Sequence, residues 1–319
     1  MSWQLLAAVA TLATQMVTAA APAEPTAAPA PQAVPDVEII ELEAERYRRM
    51  TVPVTIGGEG PFRFMLDTGA QATVVSRDLA DRLMLNDRSP AILVGMASRR
   101  EVETTAIDDV GLGSRSFYIR SAPVVEGAHI GGADGILGLD SLQDQRVLLD
   151  FVRQEIAIAD ADELGGNRGY EIVVKARARL GQLIITEARL DGIRVAVVVD
   201  SGAQGSIGNL ALQERFRRTR QMGQTEVTDI NGVVMSGAVK LADDLRIGRA
   251  RLQNIPIMFA DSPTFHALGL ADQPALMLGM QELKLFRRVA IDFKTRRVLF
   301  DLPPQATFAG RGPTSIFDR

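Results

Sequence analysis

The chain has 319 residues, 46% apolar and 23% charged, with 28 glycines and 15 prolines, a composition that suits two modest folded cores built from short strands and tight turns. A net charge of −4 offers no basic surface for nucleic acid. Two histidines and no cysteine match no zinc-binding spacing, and a chain of this size can stand in an oxidising compartment without disulfides.

The first 36 residues read as a different polymer. Residues 3–21 are an apolar, alanine-rich run, followed by Pro22, Pro25, Pro29, Pro31 and Pro35 among alanines. Residues 1–23 are expected to be either a signal peptide, with small residues at Ala21 to Ala23 where a signal peptidase would cut, or an uncleaved N-terminal anchor close to bilayer-spanning length. Residues 24–36 are then a stiff Ala/Pro linker. Either alternative predicts export of the remaining chain, periplasmic or secreted, free or tethered to the membrane.

Next, Phe62, Phe64, Met65 and Leu66 form a strand-like run that ends in Asp67, Thr68, Gly69, Ala70 and Gln71. Thr73, Val74 and Val75 follow, and Ser76 is a good helix N-cap with Leu79 and Leu83 spaced to bury one helix face behind it. A hairpin is expected over residues 94–103, with Gly95 and a polar tip of Ser98, Arg99 and Arg100. The glycines at 127, 131, 132, 135 and 138 lack the Gly-Lys-Ser/Thr ending of a phosphate loop and read as irregular chain leading into Gly135, Ile136, Leu137, Gly138 and Leu139. Val147, Leu149, Asp150 and Phe151 predict a closing strand. Residues 161–169, rich in Asp, Glu, Gly and Asn, read as a hinge or crossover.

The pattern then returns. Ile193, Val195, Val197, Val198 and Val199 run into Asp200, Ser201, Gly202, Ala203 and Gln204. Ser206, Ile207 and Gly208 lead to Asn209 as N-cap, with Leu212 and Phe216 behind it. Asn231–Gly232 between apolar runs predicts a hairpin over residues 227–236. Leu276, Met277, Leu278, Gly279 and Met280 answer the earlier Gly138 segment, and Val289, Ile291, Asp292 and Phe293 answer the earlier closing strand. A repeat of this length means two similar lobes, at 37–160 and 170–303, with a loose tail at 304–319.

An Asp at a strand end can simply cap a turn, which explains one pentad well and two matched pentads poorly. Two carboxylates brought together repel, share one proton, and so supply both an acid and a base. Ser201 and Ser206 have no histidine in a comparable position to activate them, which argues against a serine hydrolase.

These paired motifs, Asp-Thr/Ser-Gly-Ala followed by apolar-apolar-Gly, resemble the aspartic proteases, and specifically the retropepsin-like bacterial members with both lobes in one polypeptide. The resemblance covers roughly residues 45 to 303. It implies a mostly β, bilobal fold of two β-barrel-like lobes with the active-site cleft between them. It also implies Asp67 and Asp200 as catalytic residues and Gly138 and Gly279 as structural turns beside them. Gly69 and Gly202 would let the backbone approach the opposite lobe, and Thr68 and Ser201 would cross-link the two Asp loops. The hairpins carrying Gly95, Ser98, Arg99, Asn231 and Gly232 would be flaps, without the Tyr of many pepsin-like relatives. Ala70 and Ala203 stand where acid-active members carry a hydroxyl that lowers a carboxylate pKa, which predicts a pH optimum nearer neutral.

The expected activity is aspartic endopeptidase cleavage of polypeptides, with no cofactor and no metal, by a monomer that holds a complete dyad. Two rivals accompany it: a silent protease fold kept as a peptide-binding module, and a latent zymogen whose residues 37–49 block the cleft.

Overall fold

A computed structural model describes residues 38–41, 43–44, 50–113, 115–216 and 221–303. The expected signal or anchor, the Ala/Pro linker and the C-terminal tail lie outside the described residues. Among the described residues the strands form three sheets, two of eight strands and one of six.

Each eight-stranded sheet is built around one pentad. In the first, Glu59–Leu66 runs parallel to Gly135–Leu137, with Leu66 opposite Leu137, and that short strand pairs antiparallel with Val74–Ser76. In the second, Ile193–Val199 runs parallel to Ala275–Leu278, with Val199 opposite Leu278, and Ser206–Gly208 pairs antiparallel on the other side. The uninterrupted apolar run Val195 to Val199 is buried at every position, as a strand covered on both faces requires. The expected caps form: Leu79 N–H donates to Ser76 Oγ at 3.2 Å at the start of Arg77–Arg82, and Leu212 N–H donates to Asn209 Oδ1 at 2.9 Å at the start of Leu210–Arg215. Between residues 127 and 138 the glycine-rich stretch is more ordered than irregular chain. It makes a 3-10 turn, Gly127–Ile130, that ends in left-handed Gly131 before re-entering the sheet.

The third sheet draws on both halves, and here the structure departs from a simple two-lobe division. The strands expected to close each lobe separately, Arg146–Asp150 and Arg288–Asp292, pair with each other, Val147 opposite Ile291. Glu155–Ala159 and Arg297–Asp301 flank them, and Ile172–Lys175 joins the outer edge beside Arg297–Asp301. The segment read as the opening of the second lobe therefore begins on a shared platform, and the second lobe's own sheet starts at Arg177–Arg179. Each closing strand has a free edge, and its counterpart in the other half is the matching partner.

Arg146 crosses this platform. Its guanidinium, buried to 2% exposure, pairs with fully buried Asp292 at 2.7 Å and also donates to Gly166 O and Asn167 Oδ1. The connection expected to act as a hinge is thus pinned to the platform. Glu38–Glu41 forms the opposite outer strand of this sheet, against Glu155–Ala159, and Glu43–Ala44 pairs with Met50–Thr51. The described parts of residues 37–49, 38–41 and 43–44, are therefore strands at sheet edges.

One apolar cluster runs through both lobes and the platform, from Val52 and Phe64 through Val147 and Ile291 to Val199 and Leu278. Two smaller clusters line the walls nearer the pentads, one per lobe.

Candidate active site

Asp67 and Asp200 enter the site as the first residues beyond their strands. Asp67 N–H donates to Leu137 O and Asp200 N–H to Leu278 O, both at 3.1 Å, so each apolar-apolar-Gly strand holds the Asp loop of its own lobe in register. Each loop then folds back on its own carboxylate. Asp67 Oδ1 accepts from Gly69 N–H at 2.7 Å and Ala70 N–H at 3.0 Å, and Asp200 Oδ1 accepts from Gly202 N–H at 2.9 Å and Ala203 N–H at 3.1 Å. The loops face each other so closely that a Cβ on Gly69 would strike the Asp200 carboxylate and one on Gly202 would strike that of Asp67. No residue but glycine fits either position.

Thr68 and Ser201 tie the loops together reciprocally. Thr68 N–H donates to Ser201 Oγ at 3.0 Å and Ser201 N–H to Thr68 Oγ1 at 3.1 Å, while the two hydroxyls donate across to Val199 O and Leu66 O. All four bonds are buried and join the two halves of the chain.

The two aspartates are unequal. Asp67 is half-buried, whereas Asp200 is 7% exposed. Burial and the neighbouring Asp67 charge push the Asp200 carboxyl up to about 8, against the pull of the Ala203 and Gly202 N–H groups, and the two side chains are hydrogen-bonded to each other. Two carboxylates so arranged favour sharing one proton over both being charged.

Behind the loops, Thr73 Oγ1 accepts from Gly138 N–H at 3.1 Å and donates to Asp140 Oδ1 at 2.6 Å. The second lobe repeats the arrangement with different chemistry: Ser206 Oγ accepts from Gly279 N–H at 3.2 Å and donates to Glu282 Oε2 at 2.5 Å. Burial holds the Glu282 carboxyl above its ordinary value despite that bond.

The two hairpins expected as flaps meet at their tips. Asp229 of the second hairpin, 3% exposed, accepts from Ala97 N–H at 3.1 Å and Ser98 Oγ at 2.7 Å of the first, while its other oxygen accepts from Asn231 and Val233 N–H. Asn231 Nδ2 donates to Ser98 Oγ at 2.9 Å. The tips then cross. Met96 packs into the second lobe's wall cluster beside Phe265 and Met258, and Ile230 packs into the first lobe's wall cluster, which also carries Ala70. Gly95 lies against the Asp229 carboxylate and Gly232 against the His129 ring. Arg99 and Arg100, expected at the tip, instead open the strand Arg99–Leu112 opposite Val94 and Leu93; both are exposed, and Arg99 borders a 490 Å³ cavity shared with Asp261, Pro263 and His266.

The two histidines sit apart from the dyad's loops. His129 is half-buried on a helical turn under the second hairpin, and His266, though exposed, lies on the helix Pro263–Ala267 with Asp261 at 2.8 Å. Among the described residues no cluster of three or more His, Cys, Asp or Glu side chains could hold a metal ion.

Sequence reasoning missed Asp229, Asp140, Glu282 and Gln182. Asp140 and Glu282 had a signal, since they lie two and three residues beyond the paired glycines Gly138 and Gly279. Gln182, 2% exposed, donates through Nε2 to Gly69 O from the opposite lobe, and no local pattern marks it.

Two matched lobes, a shared platform and two aspartates joined at their interface define an aspartic-protease fold. Comparison with family models agrees in each half: residues 52–144 match the gag-polyprotein aspartyl protease model and residues 186–281 match the aspartyl protease model. The chain belongs to the retropepsin-like aspartyl protease family, and its two lobes are protease domains. No curated protein matches it.

Proposed function

We propose that the protein is an aspartic endopeptidase that hydrolyses peptide bonds in polypeptides with a water activated between Asp67 and Asp200. The observation that carries this reading is the unequal, hydrogen-bonded dyad at the meeting of the two lobes. Asp67, the more exposed partner, takes a proton from the attacking water while Asp200, protonated across the neutral range, donates to the scissile carbonyl oxygen. The resulting gem-diol collapses as its hydroxyl returns a proton to Asp200 and the leaving amine takes the proton from Asp67, which breaks the C–N bond and restores the dyad. No covalent enzyme intermediate is involved. An extended substrate strand between the crossed hairpins and the Asp loops would be held by main-chain pairing.

The dyad draws one aspartate from each half of one chain, which supports a monomer as the working form. The apolar run at residues 3–21 supports export, with or without retention at the membrane. The latched hairpins favour a second reading in which the protein rests in a closed, latent state until a substrate or partner separates their tips.

The test is cleavage of denatured casein by the full chain between about pH 3 and 8, the carboxylate range. Wild type should cleave, and Asp67→Asn and Asp200→Asn should each lose about 1000-fold or more in kcat/KM with the fold retained, equivalent to at least about 4 kcal/mol of transition-state stabilisation. Folded wild type that leaves the casein intact would move the assignment to the silent or latent form.

A further inference from the structure

Gln182 opens the strand Gln182–Leu190 of the second lobe, yet its side chain reaches the Asp loop of the first. Gly69 O can only accept a hydrogen bond, so the amide nitrogen must face it. The amide oxygen Oε1 then has no partner among the described residues, although the side chain is 2% exposed. A buried acceptor without a donor is unfavourable, and an apolar side chain of the same size would fill the space without it. What an apolar side chain could not do is donate to Gly69 O.

That carbonyl belongs to the same peptide unit as Ala70 N–H, which donates to Asp67 Oδ1 at 3.0 Å. A donor on the oxygen of a peptide unit polarises the unit and strengthens its N–H as a donor in turn. Gln182, the Gly69–Ala70 peptide and Asp67 thus form one chain of hydrogen bonds running from the second lobe to the first aspartate. We propose that Gln182 is a positioning residue that keeps the negative charge of the dyad on Asp67, leaving the shared proton on Asp200. The inference rests on the reading of Asp67 and Asp200 as the catalytic pair.

The charged groups around the first loop do not supply this bias themselves. Asp200 faces it from the second loop. Asp140, on the short helix that packs against the loop through Leu139 N–H and Ala70 O, is engaged with Thr73. Arg177 and Arg179, on the strand paired with that of Gln182, are exposed.

The experiment is a pH titration of the full chain labelled with carboxyl-¹³C aspartate, followed by NMR, with Asp67→Asn used to assign the dyad signals. The pH dependence of kcat/KM on denatured casein is measured in parallel. In wild type the Asp67 signal should report the ionised form at pH values where Asp200 is still protonated. Gln182→Met, which removes the donor at similar volume, should move the lower dyad transition and the acid limb of kcat/KM upward by about half a pH unit or more. Gln182→Glu, which replaces the donor by a carboxylate, should move both further, so the order wild type, Met, Glu is itself a prediction and survives the loss of either variant to misfolding. A lower kcat with both transitions unmoved would reduce Gln182 to a structural contact and overturn the proposal. The NMR arm reads the dyad whether or not casein is cut, so wild type without turnover counts against the endopeptidase reading alone.

Discussion

Asp200 has an ordinary carboxyl value of 3.8 and a folded value of about 8, with burial first and the Asp67 charge second among the causes. The folded protein therefore keeps a proton that the unfolded chain releases, and the stability linked to this group is fully present below about pH 4 and is lost as pH rises through about 8. Asp200→Asn keeps the shape and removes the titration. It should raise stability relative to wild type by about 2 kcal/mol or more at pH 8 and by much less at pH 4, readable as a melting-temperature gain that grows with pH. The same protonation bears on activity. With alanine at 70 and 203, neither Asp67 nor Asp200 receives a side-chain hydroxyl from the position after its glycine. Activity should extend to neutral pH and fall on the alkaline side near 8 as Asp200 ionises; a kcat/KM profile peaking below about pH 4 would contradict this.

Among the elements, the crossed hairpins have the most consequence for function. Their strands are long, Arg99–Leu112 in the first and Val234–Ile247 in the second, and their tips are joined by the Asp229 carboxylate through hydrogen bonds to Ala97 and Ser98. Hydrogen bonds to a buried carboxylate contribute about 1.5–3 kcal/mol. Asp229→Ala should therefore raise the hydrogen-exchange rates of the Ala97, Asn231 and Val233 amides by about tenfold or more, while amides of Ile193–Val199 stay protected. If the hairpins rest closed over the cleft, the same variant should also lower KM for a polypeptide, since less binding energy goes into opening the roof. Met96 and Ile230 act at the same scale: each side chain is seated in the opposite lobe's wall cluster, so parting the hairpins exposes both.

For the whole molecule, the six-stranded platform decides how the lobes are held. Burial alone would raise the Asp292 carboxyl, but the Thr295 N–H and the Arg146 guanidinium outweigh it and hold Asp292 below its ordinary range. Arg146→Met would leave that charge buried without its partner and should cost about 3–5 kcal/mol in urea unfolding, while Arg146→Met with Asp292→Leu should recover most of the loss. At the N-terminus, mass spectrometry of the protein made in an exporting bacterium should find either a new terminus near Ala21 to Ala23 or an intact membrane-bound chain whose lobes are cut by protease added to the periplasmic side, whereas an intact chain in the soluble cytoplasmic fraction would overturn the export proposal.

The sequence by itself determined the repeat, the two pentads, the paired glycines, the helix caps and the hairpin turns. All of these are local: a strand that ends in Asp-Thr-Gly, a Ser or Asn before an amphipathic run, and an Asn-Gly between apolar stretches each carry their geometry within a few residues. Only the tertiary structure decided that the closing strands of the two halves pair with each other, that residues 160–169 are pinned by Arg146, and that the hairpin tips are latched by Asp229. It also decided which aspartate is the buried one. Apart from the 21-residue reach of Arg146 to Asn167, these features depend on groups more than a hundred residues apart, such as Gln182 with Gly69 and Asp229 with Ser98, and a neutral amide or a lone turn aspartate shows nothing in the chain to distinguish it from its many ordinary counterparts. The physical reason is the same in each case: a hydrogen bond or ion pair gains its importance from desolvation, and desolvation is settled by the packing of the whole molecule and not by neighbours in sequence.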